Sequence, residues 1–219
     1  MSRPSGFVSA LSALSFGNTF NPYADRCPMY DKQDAPKRRA ATLLAMVNAA
    51  TDCEVDSIWI GRDLGYRGGR RTGLALTDDV HMDMHAQRWG VAMYRPTKGQ
   101  AVAERTAAVI WSVLDQIETP VFLWNVFPLH PHDEGEPFSN RAHNARERAI
   151  GEDVLAELIK LIAPKRIVAI GNDAAKSAAR ISPNRKAIQV RHPSYGGQNE
   201  FLTQMQDLYR YRPRTLFSC

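Results

Sequence analysis

"KRIVAIGNDAAKSAAR", Lys165 to Arg180, runs from a short β-rich stretch through one glycine into an alanine-rich stretch. The first part predicts a strand over 165–171 and the second a helix from Asn172, with Asn172 as its N-cap. A strand that feeds straight into a helix is half of a βαβ unit. The pattern repeats along the chain. "DSIWIG" predicts a strand over 56–61, "TPVFLWNV" one over 121–125, and "KAIQV" a fourth over 186–190. Helical periodicity covers 7–16, 37–50 behind Pro36, 102–118, 145–163 and 198–209. Short apolar strands alternating with helices predict an α/β fold: a three-layer α/β/α sandwich around a central four-stranded parallel sheet. A chain of 219 residues suits one domain that buries roughly 70% of its unfolded surface.

The composition is that of an ordinary globular protein, with a formal net charge of +5, a moderate signal for a polyanionic partner. Cys27, Cys53 and Cys219 are widely spaced and form neither a disulfide framework nor a CxxC site. No apolar run is long enough to span a membrane, and the N-terminus lacks a secretory pattern, so a cytoplasmic location is expected. Two long irregular stretches stand out, 16–36 and 127–144. Stretches of that length without regular structure are usually functional or disordered, and Phe20, Tyr23 and Tyr30 in the first argue against disorder.

In open parallel sheets, ligands bind beyond the carboxyl ends of the strands. Three strand ends carry unusual polar chemistry: Asp63, Asn125 and His192. They are far apart in sequence and are expected to converge in space. "GRDLGYRGGRRTGLALTD", 61–78, places Arg62, Arg67, Arg70 and Arg71 in the same loop as Asp63. Such a loop suits a phosphodiester backbone, with a solvated surface as the alternative. The sequence has no GxSxG elbow and no GxxxxGK[ST] loop, so serine hydrolysis and P-loop nucleotide chemistry have little support.

These residues resemble the uracil-DNA glycosylase superfamily. The stretch 61–78 is similar, without a gap, to GQDPYHGPGQAHGLCFS of the main uracil-specific branch: Gly61 falls on the first glycine, Asp63 on the water-activating aspartate, and Gly73 and Leu74 on the later GL. "RHPSYGG" resembles the HPS motif, with His192 on the catalytic histidine. "FLWNVFPL" resembles the strand whose Asn reads the base, here Asn125, and is nearest to NYCPL of the single-strand-selective branch; "FNPYADRCP" is similar to that branch's YNP segment. The resemblance spans about 16–201 and mixes features of both branches.

It implies a bacterial, nucleoid-associated repair enzyme that needs no cofactor or metal. Such an enzyme flips uracil out of DNA and hydrolyses its N-glycosidic bond. Asp63 and His192 would be catalytic. Asn125, with Gly61, Gly65, Leu76 and Phe127, would recognise the base. Arg62, Arg67, Arg70, Arg71, Ser139, Arg141, Ser194 and Tyr195 would meet the DNA backbone, a solvated surface being the alternative for several of them. Gly65 stands where the main branch has an aromatic wall at the 5-position of the base, so tolerance of 5-substituted uracils is expected. Leu76 replaces the stacking Phe, which leaves Phe127 and Tyr66 as stacking candidates, with core packing the preferred reading of Phe127. Tyr195 is the one bulky residue after HPS, and a weak wedge implies a preference for single strands.

Three other features have plainer readings. His81 and His85, near Asp83, have a spacing that zinc sites use but lack enough partners, and a solvated or capping role is preferred. His130 and His132 would add ligands only by chance of folding. Trp59, Trp111 and Trp124 read as core, and the basic tail 209–214 reads as solvated. The rival functions are a nucleic-acid-binding module without turnover, a hydrolase of free nucleosides or nucleotides, and a glycosylase for another damaged base.

Overall fold

A computed structural model describes residues 3–211. In chain order the elements are α1 (Pro4–Ser12), β1 (Thr19–Phe20), α2 (Ala35–Thr51), β2 (Ser57–Asp63), α3 (Gly69–Thr72), α4 (Met82–Arg88), α5 (Arg105–Leu114), β3 (Val121–Phe127), β4 (His130–Pro131), α6 (Ala145–Ile162), β5 (Arg166–Ile170), α7 (Asn172–Ile181), β6 (Ile188–Val190) and α8 (Gln198–Tyr209). Strands β3-β2-β5-β6 form one sheet, in that order, and every pairing is parallel. The expected three-layer architecture and four-stranded parallel sheet are present.

Side-chain alternation explains the layers. Ile58, Ile60, Phe122, Trp124, Ile167 and Ala169 pack with α1, α2, α6 and α7 on one face. Trp59, Val121, Leu123, Val168 and Ile170 pack with α5 and α8 on the other. With both faces covered, the strands read as continuous apolar runs, and all seven residues of β3 are buried. Trp59, Trp111 and Trp124 are core residues as expected. The Tyr209 hydroxyl accepts the Trp59 Nε1–H (2.6 Å) and lies 2.6 Å from Ser57 Oγ, which ties the last helix to β2. Tyr209 therefore faces inward rather than belonging to a solvated tail. Residues 212–214 of that tail, and Cys219, lie outside the described residues.

Several boundaries differ from the sequence reading, and each difference bears on the site. Strand β2 continues to Asp63, so the carboxylate sits on the sheet rather than in the following loop. Helix α7 has Gly171, not Asn172, at its N-cap, with φ 89°. That conformation is open to glycine and costly for other residues. Asn172 instead accepts a hydrogen bond from Gln189 Nε2 (2.7 Å). Helix α5 begins at Arg105, and Glu104 is its N-cap. The two irregular stretches hold each other through the antiparallel pair β1–β4, Phe20 opposite His130.

Candidate active site

Strands β2 and β5 are neighbours, but the chain leaves them in opposite directions. From β2 it passes through α5 to β3; from β5 it passes through α7 to β6 on the far side. This is the arrangement that opens a crevice beyond the strand ends. A cleft of about 520 Å³ lies there, and Asp63, Asn125 and His192 all line it. The convergence inferred from three strand ends is present. A second concavity of about 410 Å³, between Ala175 and Gln189, contains none of the three.

Asp63 ends β2 with its side chain only 7% exposed. One carboxylate oxygen, Oδ2, accepts from Arg62 Nε at 2.7 Å. The other, Oδ1, is in a short contact with His143 Nδ1. Asn125 lies beside Gly61 in the β2–β3 register. A Cβ on Gly61 would stand 2.3 Å from Asn125 Oδ1, so the missing side chain is what admits the carboxamide. Among the described residues, Asn125 Oδ1 is buried with no hydrogen-bond partner. Buried carbonyls are nearly always paired, and an orphan at a cleft is expected to be satisfied by what enters it.

His192 follows β6. Its Nδ1 accepts the Ser194 backbone N–H at 3.1 Å and lies 2.7 Å from Ser194 Oγ. An accepting Nδ1 leaves the ring proton on Nε2. Burial, then the charges of Arg62 and Arg191, lower the imidazole pKa. The ring is therefore a neutral Nε2–H donor. A Cβ on Gly171 would lie 3.3 Å from His192 Cβ, so the glycine that turns the chain into α7 also makes room for the histidine.

Of the other residues singled out, Arg62, Gly65, Leu76, Arg141, Ser194 and Tyr195 also line the cleft, and Gly61 sits behind it. Tyr195 is 98% exposed with φ 51°, a bulky residue held in the left-handed region at the rim. Arg67 is exposed, stacks on Tyr66 and donates to its hydroxyl (2.8 Å) away from the lining.

Four expectations need correction. Arg70 and Arg71 point inward rather than at a backbone. Arg70 stacks on Phe20 and donates to Tyr30 Oη (2.7 Å) and the Pro137 carbonyl (2.8 Å); Arg71 pairs with Asp79 (2.7 Å) under Tyr30. Phe127 is fully buried against Phe16 and His143, so it cannot stack on a base. Ser139 Oγ accepts from the Asp133 N–H (2.8 Å) and is off the cleft. Arg141 is on the lining, but its guanidinium is held by Glu147 (2.7 Å) and by the Asn18 and His132 carbonyls.

Two residues that sequence reasoning passed over stand beside the three. His143 touches Asp63. Glu104 lines the cleft, its backbone N–H held by Asp78 Oδ2 at 2.6 Å. A Cβ on Gly65 would meet Glu104 Oε1 at 3.2 Å, and one on Gly68 would meet Oε2 at 2.3 Å. The glycines of this loop thus make room for a carboxyl group, and the space expected beside Gly65 is partly filled. Burial, then the Asp78 charge, push the Glu104 pKa up to about 6, against the pull of Arg67.

His81, His85 and His130 have partners within the fold. His81 Nδ1 pairs with Asp78 (2.7 Å) and His85 Nδ1 bonds to the Thr77 hydroxyl (3.0 Å). His130, its pKa lowered to about 3 by burial and then by Arg70, bridges Arg70 and the Ser139 carbonyl.

The family model for the Uracil DNA glycosylase superfamily matches residues 56–211. Comparison with curated proteins returns no match. Among solved structures, the crystal structure of wild-type Pedobacter heparinus SMUG2 superposes with a TM-score of 0.63 at 13% identity, covering 96% of this chain and 97% of that one. That identity speaks to the fold alone.

Proposed function

The chain belongs to the uracil DNA glycosylase superfamily, and from that premise we propose that it excises uracil from DNA by hydrolysis and leaves an abasic site. The observation that carries this reading is the orphaned Asn125 carbonyl in a cleft that also holds Asp63 and His192. A carboxamide offers one donor and one acceptor side by side, which matches the O4 and N3–H edge of uracil. Cytosine reverses both and would leave buried groups unpaired.

The chemistry divides among the three. Breaking the bond between C1′ and N1 leaves positive charge on the sugar and sends the electron pair to the base. Asp63 opposes the sugar charge and takes the proton of the water that adds to C1′. His192, as a neutral Nε2–H donor, stabilises the charge that develops on O2. One such preorganised donor contributes on the order of 3 kcal/mol.

The base must leave the stack to reach the cleft, at a cost that is smaller in single strands. Tyr195, exposed at the rim, is the residue suited to fill the gap left in a duplex. Glu104 meets any group carried at the edge of the base beside Gly65. The test is alkali-labile scission of an end-labelled oligonucleotide that carries one deoxyuridine. Scission at that position is expected; its absence from both single strands and duplex overturns the reading.

A further inference from the structure

We infer that His143 is a positioning residue for Asp63: it donates Nδ1–H to Asp63 Oδ1 and fixes the carboxylate that faces the cleft. The inference deepens the glycosylase reading and rests on it for the kinetic arm of its test.

The two side chains are equally hidden, each 7% exposed, and are 80 positions apart in the chain. His143 is not on the cleft lining, so it reaches the reaction only through Asp63. A carboxylate at a strand end is free to turn about its last torsion. Here both oxygens are engaged, Oδ1 by His143 and Oδ2 by Arg62. Arg62 is half-exposed and shared with Asp173 at 3.6 Å, so it is a loose restraint. His143 is the tight one.

The segment around His143 is built to hold it. Asn144 caps α6 through a reciprocal box: its side chain accepts from Arg146 N and Glu147 N, and Glu147 Oε2 accepts the Asn144 N–H at 2.7 Å. The Arg141 guanidinium clasps Glu147 and the Asn18 carbonyl. Between these two anchors His143 has its ring edge-on to Phe127. Phe127 is paired with Asp63 in the β2–β3 register, so the strand that carries Asp63's neighbour also carries the wall for the imidazole. A loop with this many fixed points presents one nitrogen to one oxygen.

The experiment compares the full-length chain with His143→Ala, His143→Asn and His143→Gln. The Asn amide nitrogen sits near the place of Nδ1, whereas the Gln amide nitrogen sits near that of Nε2. Single-turnover excision from a single-stranded deoxyuridine oligonucleotide is expected to fall about a hundredfold in His143→Ala, the scale of an ångström's misplacement. Affinity for the same oligonucleotide should stay within about twofold, and His143→Asn, but not His143→Gln, should recover most of the rate. An unchanged rate in His143→Ala overturns the inference, as does a loss shared equally by Asn and Gln.

A second readout needs no activity. Long-range proton–nitrogen correlation spectra should show His143 protonated at Nδ1 in the parent chain and at Nε2 in Asp63→Ala. Nε2 protonation in both overturns the pairing. If the parent chain excises no uracil, the functional reading fails, and these spectra alone decide the pairing.

Discussion

Asn125 shows how a single residue can spend stability on function. Its Oδ1 is buried and unpaired among the described residues, a state that costs about 1–3 kcal/mol. Asn125→Leu removes the orphan and puts an apolar side chain of similar length in its place, so it should raise the melting temperature while lowering uracil excision by at least about a hundredfold. A variant that unfolds more easily, or that still excises, would contradict this assignment. Glu104 makes a related case through pH. Its pKa is raised from 4.5 to about 6, chiefly by burial. The folded chain therefore holds a proton that the unfolded chain releases, and stability is lost as pH rises from about 4.5 to about 6. Glu104→Gln should stabilise the chain by about 1–2 kcal/mol at pH 8 and by much less at pH 4.5. Urea unfolding at the two pH values reads the difference, and a gain independent of pH would count against it. These two residues differed in legibility. Asn125 was visible as a polar residue closing an apolar strand. Glu104 was hidden because helical periodicity absorbed 102–118, and its carboxyl comes into view only when Gly65 and Gly68 fold beside it.

At the scale of elements, the glycine- and arginine-rich stretch 61–78 carried a right reading and a wrong one. Asp63 stands at the strand end, as expected. Arg70 and Arg71 looked like a grip for phosphates, yet the short helix α3 turns both inward. Asp79 follows directly on the stretch, but Phe20 and Tyr30 come from another segment, and no local pattern announces a cation stacked on a distant ring. The aromatics of 16–36 were read as evidence of order, and these stacks are the form that order takes. His143 escaped for the same reason: it sits in an irregular stretch with His130 and His132 nearby, and only folding shows which of the three meets Asp63. The loop after β6 has the opposite character. Tyr195 holds a left-handed conformation at a cost of about 1 kcal/mol for a bulky residue, and its ring is in solvent. Tyr195→Gly relieves the strain and deletes the ring. It should leave the chain at least as stable, lower excision from paired duplex, and spare excision from single strands, so that the ratio of the two changes on the order of tenfold. Equal losses on both substrates would remove Tyr195 from the role of wedge.

For the whole molecule, four short apolar strands among helices were enough to specify the layers, because a parallel sheet covered on both faces must be apolar on both. The strand order was not legible, since each βα unit looks alike until it pairs. That order matters for function. It sets β2 beside β5 and makes the crevice in which residues 63, 125 and 192 meet. The net charge of +5 suits a polyanionic partner, but with Arg39, Arg70 and Arg71 buried and Arg141 clasped by Glu147, the charge available to DNA is less than the sequence suggests. The function proposed for this cleft is hydrolysis of the glycosidic bond of uracil in DNA with side chains alone. Its most direct measurement is single-turnover excision from a deoxyuridine oligonucleotide in EDTA, for the parent chain, Asp63→Asn and His192→Ala. Excision is expected to survive EDTA and to fall at least about a hundredfold in each variant, from the lost charge in one and the lost donor in the other. Undiminished excision in both variants, or excision abolished by EDTA, would contradict it.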